Sequence, residues 1–189
     1  MKKIIIKNGL ISSAIVVLFM IVSTYLWKTD PNFKPTAVYG FTGMLIAFVF
    51  IFIGIKSYRD NENNGAISFG KAFKIGSLIA LIASTCYVLA WLILYYNFIP
   101  DFMDLYSQCV VDDAKAAGES VQQIDAKLAE INMMKEWYKN PLYIILLTFM
   151  EILPLGIIVA LICSLILMRK AKPNTENQNS ENQNLKTES

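Results

Sequence analysis

The chain has 189 residues, 55% of them hydrophobic and only 17% charged, against about 25% in a soluble domain. The deficit is concentrated in four long apolar runs, which excludes an ordinary soluble enzyme, and a net charge of +2 argues against bulk nucleic-acid binding. There is no histidine, hence no commonest general base or metal ligand, and three scattered cysteines make neither a disulfide framework nor a zinc site.

The first run spans about Asn8 to Trp27, behind Lys2, Lys3 and Lys7. A positive stretch before an apolar run can be a signal peptide. This run is longer than a typical signal core and no Ala-x-Ala site follows it, so it reads as an uncleaved transmembrane helix. The second run is about Thr36 to Ile55, the third about Ala72 to Phe98, the fourth about Pro141 to Met168. Each is long enough to cross about 30 Å of hydrocarbon, which takes about 20 residues.

Basic residues set the expected orientation. The N-terminus, the loop after the second span and the C-terminus together hold eleven Lys and Arg. The opposite side holds six, on longer loops. By the positive-inside rule both termini are expected in the cytoplasm. Trp27, Trp91 and Trp137 fall towards the outer boundary, where aromatic rings anchor helices at headgroup level.

The inner loop from Lys56 to Gly65 is turn-rich. Lys56, Tyr58 and Arg59, with Lys71 and Lys74 beyond it, read first as the topology signal and second as a lipid-headgroup or partner site. Gly40 and Gly43 follow no strand and open a membrane helix, so they do not read as a nucleotide loop.

In the third span Gly76, Ala80 and Ser84 stand four residues apart, and Gly156, Ala160 and Ser164 repeat that spacing in the fourth. Such stripes let helices approach closely in lipid, and packing is the expected role. Cys86 and Cys163 lie at membrane depth and read as small apolar residues.

Between these spans, about 99–140, lies the one extramembrane segment large enough to fold. It carries eight acids against four lysines. Phe102, Leu105, Tyr106, Cys109 and Val110 recur at helical spacing, and Gly118 breaks the pattern. Ser120 with Gln123 has the form of a capping box, and Val121, Ile124, Leu128 and Ile131 follow on one face of a second helix. The segment is expected to be an outer helical hairpin, either a spacer or a surface for a partner, with lone Cys109 open to cross-linking two copies.

Glu151 is the one charge deep inside an apolar span. It lies ten residues after Pro141, about 15 Å along a helix. An ionised carboxylate there costs several kcal/mol unless paired or hydrated, so it is expected to face the bundle. Pro154 removes a helix hydrogen bond close by, and Gly156 follows. Two readings stay open: a structural hydrogen bond, with Thr42, Ser84, Thr85 and Tyr87 at matching depth, or a proton or cation site. The tail 171–189 is polar and repeats Glu-Asn-Gln-Asn, and is expected to be disordered, leaving 1–170 as the membrane domain.

The run from Phe52 to Asn61 and then Gly65 to Gly76, with Pro100-Asp101-Phe102, Lys139-Asn140-Pro141 and the stretch Glu151 to Gly156, resembles the domain of unknown function 4199 family over about residues 5 to 170. The resemblance implies a four-helix bacterial integral membrane protein of the Bacteroidetes type and supplies no activity or catalytic residue. The expected fold is therefore all-α, four transmembrane helices with an extracytoplasmic hairpin between the third and fourth. The expected function is a non-enzymatic scaffold, sensor or accessory protein acting through the hairpin, the alternative being a small oligomeric transporter or proton-coupled channel using Glu151. An intramembrane enzyme is disfavoured, since Glu151 has no companion carboxylate or histidine. No cofactor or metal is called for, and the expected partners are the lipid bilayer and either a second copy or another membrane protein, with no nucleic acid.

Overall fold

The computed structural model describes residues 1–30, 33 and 37–169, and among them the chain is all-helical apart from turns and one isolated β-bridge. In chain order the helices are α1 (Lys2–Thr29), α2 (Ala37–Glu62), α3 (Phe69–Asn97), α4 (Phe102–Ala116), α5 (Val121–Trp137) and α6 (Pro141–Leu167). Helices α1, α2, α3 and α6 are long and apolar enough to cross a membrane. A helix suits such sequences because hydrocarbon offers no partner for backbone N–H and C=O, and a helix satisfies them internally. Their outward faces are apolar too: Leu18, Leu89, Leu146 and Ile166 are all exposed, as lipid-facing positions must be. The protein is an integral membrane protein built on these four helices.

Helix α3 is central and packs on α1, α2 and α6. Its contact with α6 is close because both helices present small residues. A Cβ placed on Gly76 would stand 2.9 Å from the Ala160 Cβ, and one on Gly156 would stand 2.8 Å from the Ala80 Cβ. Ala80, Ser84, Ala160 and Ser164 are all fully buried. The core beside this seam is filled by Phe48, Ile51, Ile55, Ile75 and Ile79. On α1 the buried residues include Asn8, Ser12 and Ser13. Ser12 donates a 2.8 Å hydrogen bond to the Ala47 carbonyl of α2, whereas Ser13 donates within α1, to Gly9. Such bonds dispose of polar atoms that lipid could not satisfy.

The helices run up to seven residues past the expected spans, α1 starting at Lys2 and α3 at Phe69, and the largest difference is at the end of α2. Helix α2 runs on to Glu62, through a stretch expected as loop. No glycine or proline interrupts Lys56–Glu62, and the ring of Tyr58 is buried in the core, so the helix continues. The turn shrinks to Asn63–Gly65, where Asn64 (φ 50°) and Gly65 (φ 75°) take the left-handed conformation. Just beyond it Ile67 pairs with Arg169 through two backbone hydrogen bonds of 2.9 Å, tying the end of α6 to the α2–α3 loop. At the far end α3 ends at Asn97 before α4 starts at Phe102, and α5 ends at Trp137 before α6 starts at Pro141, so the hairpin helices are separate from the spans. The tail 171–189 and residues such as Lys34 and Thr36 lie outside the described residues.

The hairpin itself is built from local signals. Gly118, at φ 74°, follows the last turn of α4, and the N–H groups of Gly118 and Glu119 return to the carbonyls of Lys115 and Ala114. That is a Schellman ending, which needs a residue at ease with positive φ. Ser120 and Gln123 then form the expected capping box on α5. Ion pairs Lys127–Glu119 (2.6 Å) and Lys135–Asp104 brace the hairpin.

Candidate functional site

A cavity of about 550 Å³ opens in the half of the bundle nearest the hairpin. Its walls come from all six helices: α1 around Phe19–Trp27, the start of α2 around Tyr39–Gly43, α3 at Tyr87 and Trp91, the hairpin, and α6 at Leu147, Thr148 and Glu151. Helix α4 reaches the cavity with Phe102, Tyr106, Cys109 and Val110, residues spaced to share one face, so the apolar stripe read from sequence is turned into the molecule. Met103 and Ile131 are buried as well, so much of the hairpin's apolar surface is used internally.

At the hairpin end of the cavity an aromatic cluster forms around Phe102. Its ring centroid lies 4.9 Å from that of Trp91 and 5.7 Å from that of Trp27, both edge-on, and 6.1 Å from that of Tyr138. Edge-to-face pairs at these separations are favourable beyond the area they bury. Burial, then the nearby Glu151 carboxyl, pushes the Tyr138 phenol up to about 12, so this hydroxyl stays neutral at physiological pH. Lys28 of α1 donates to the Phe98 carbonyl at 3.1 Å, tying α1 to the same end.

Glu151 lines the cavity and is exposed there, not packed away. None of the four residues at matching depth hydrogen-bonds it. Thr42 and Thr85 donate to carbonyls of their own helices, Val38 and Leu81. The buried Ser84 hydroxyl has no partner among the described residues. Tyr87 lines the same cavity. Thr148, one turn before Glu151, donates to Ile144 at 2.7 Å. Pro154 sits inside α6, and its missing N–H leaves the Met150 carbonyl without its helical donor, next to Glu151. Gly156, a turn further on, belongs to the α3–α6 seam and not to the cavity.

The basic residues of the α2–α3 end do not form one open cluster. Arg59 pairs with Asp60 at 2.6 Å and its guanidinium also reaches the Leu167 carbonyl. Lys71 lies over the Tyr58 ring, 5.1 Å from its centroid, and contacts Asn63. Lys56 and Lys74 are exposed. What the sequence did not single out is the aromatic lining: Trp91 reads as a boundary anchor and Phe102 as a hairpin residue, and only the fold brings them, with Tyr138, into one cavity with Glu151.

No curated protein and no solved structure is similar to this chain. A family model described as "Protein of unknown function (DUF4199)" matches residues 7–169, which takes in the hairpin and all four spans apart from the first residues of α1. The chain belongs to that family.

Proposed function

We propose that this is a ligand-binding protein of the bacterial cytoplasmic membrane, with both termini in the cytoplasm and the hairpin outside, which holds a small amphipathic molecule between the hairpin and the spans. The orientation rests on the excess of Lys and Arg at the α2–α3 end of the bundle. The observation that carries the binding role is the setting of Glu151: a carboxyl at mid-membrane depth that opens into a cavity of about 550 Å³ with no donor from the surrounding helices. A carboxyl retained only to hold helices together would be bonded to one of them. Sites for small molecules are concave, mostly apolar and carry few polar groups, which describes this one. The role sits closer to a carrier or sensor than to a scaffold, because the hairpin helix α4 faces inwards.

The test is binding by purified protein in detergent or nanodiscs, followed by tryptophan fluorescence, since Trp27 and Trp91 line the cavity. A panel of amphipathic molecules is expected to yield saturable quenching, with thermal stabilisation equivalent to about 2.7 kcal/mol at a hundredfold excess over Kd. Leu147→Trp, which fills the cavity from α6, is expected to abolish quenching and leave the unfolding temperature of the empty protein unchanged. No saturable binding across the panel would overturn the reading.

A further inference from the structure

The geometry points to an organic cation as the occupant of the cavity: a protonated or quaternary amine, or a similar lipophilic cation, carried on an apolar body. The inference rests on the binding role proposed above and adds the charge of the ligand. Three observations lead to it. Among the described residues, no Lys or Arg lines the cavity. Glu151 contributes an acceptor-only group when ionised, with no donor among the described residues, and Asp113, which also lines the cavity, is already engaged in an interaction. The walls between are rich in aromatic rings, among them Tyr87, Trp91, Phe102 and Tyr138. Ring faces attract cations, most strongly where water is excluded, and repel anions. An ionised Glu151 in an aromatic-rich wall makes a site that favours positive charge, and a cavity of about 550 Å³ is far larger than a bare inorganic ion requires.

Tetraphenylphosphonium and tetraphenylborate, nearly equal in shape and opposite in charge, test the sign. In detergent micelles the wild type is expected to bind the phosphonium at least tenfold more tightly than Glu151→Gln does, with borate binding unchanged or tightened by the substitution. Comparing variants cancels the different partitioning of the two ions into micelles. Equal phosphonium affinity in wild type and Gln overturns the inference. Binding of both ions, insensitive to residue 151 but blocked by Leu147→Trp, overturns the charge selection and leaves the cavity role standing. Binding of neither, while neutral amphiphiles bind, does the same, and absence of all binding removes both. Should the Gln variant be poorly folded, the wild type answers alone: dicyclohexylcarbodiimide is expected to label Glu151, and saturating phosphonium to slow that labelling at least fivefold while borate does not. Labelling unaffected by phosphonium overturns the inference.

Discussion

Glu151 and Gly156 lie on the same helix, one with space around it and one with none. Because no described residue donates a hydrogen bond to Glu151, replacing it leaves no buried partner stranded. Glu151→Leu is therefore expected to leave stability unchanged or to raise it, read as an unfolding midpoint in detergent. A loss of about 2 kcal/mol or more would mean the carboxyl is bonded after all. Gly156 gives the opposite expectation. Its missing Cβ is the space that Ala80 and Phe48 occupy, at 2.8 and 2.9 Å. Gly156→Leu is expected to cost about 2 kcal/mol or more by overpacking, despite the better helix propensity of leucine. Gly40→Ala, where a Cβ meets nothing, should be neutral or stabilising by up to about 1 kcal/mol. The carboxyl was legible in the sequence because a lone charge in an apolar span stands out. Its surroundings were not, because the rings that line the cavity with it come from separate elements and share no spacing along the chain.

At the scale of elements the hairpin is the most legible part. Gly118 and the Ser120–Gln123 pair act over a few residues, so their signal sits in the sequence itself. Gly118→Val forces a β-branched residue to φ 74° and is expected to destabilise the hairpin by about 1–2 kcal/mol. Ser120→Ala removes the cap and should cost about 1 kcal/mol. Both effects are expected as faster amide exchange over 102–137, with protection in α3 and α6 unchanged; equal loss in the spans would show that the hairpin does not open by itself. The end of α2 was less legible. Lys56–Glu62 is polar enough to read as loop, and only the tertiary burial of Tyr58 holds it helical.

For the whole molecule, the proposed orientation makes a direct prediction. In a cysteine-free background, a cysteine at position 120 should react with an impermeant maleimide added outside intact cells, and one at position 64 only after the membrane is opened. The reverse pattern would invert the topology. The number of spans and their order followed from apolar length alone, a property of single segments; which helix lies against which did not, because it depends on the matching of α3 with α6. That pairing also fixes a timetable for biosynthesis. Ser84 leaves the ribosome 80 residues before Ser164, which at about 5–20 residues per second is an interval of about 4–16 s. Throughout it the groove of Gly76, Ala80 and Ser84 lies against lipid, and the Ile67–Arg169 bridge can form only when synthesis has passed the last span. A nascent chain stalled before α6 is thus a three-span species with its closest-packing face uncovered, the form in which a membrane insertase or protease would meet this protein.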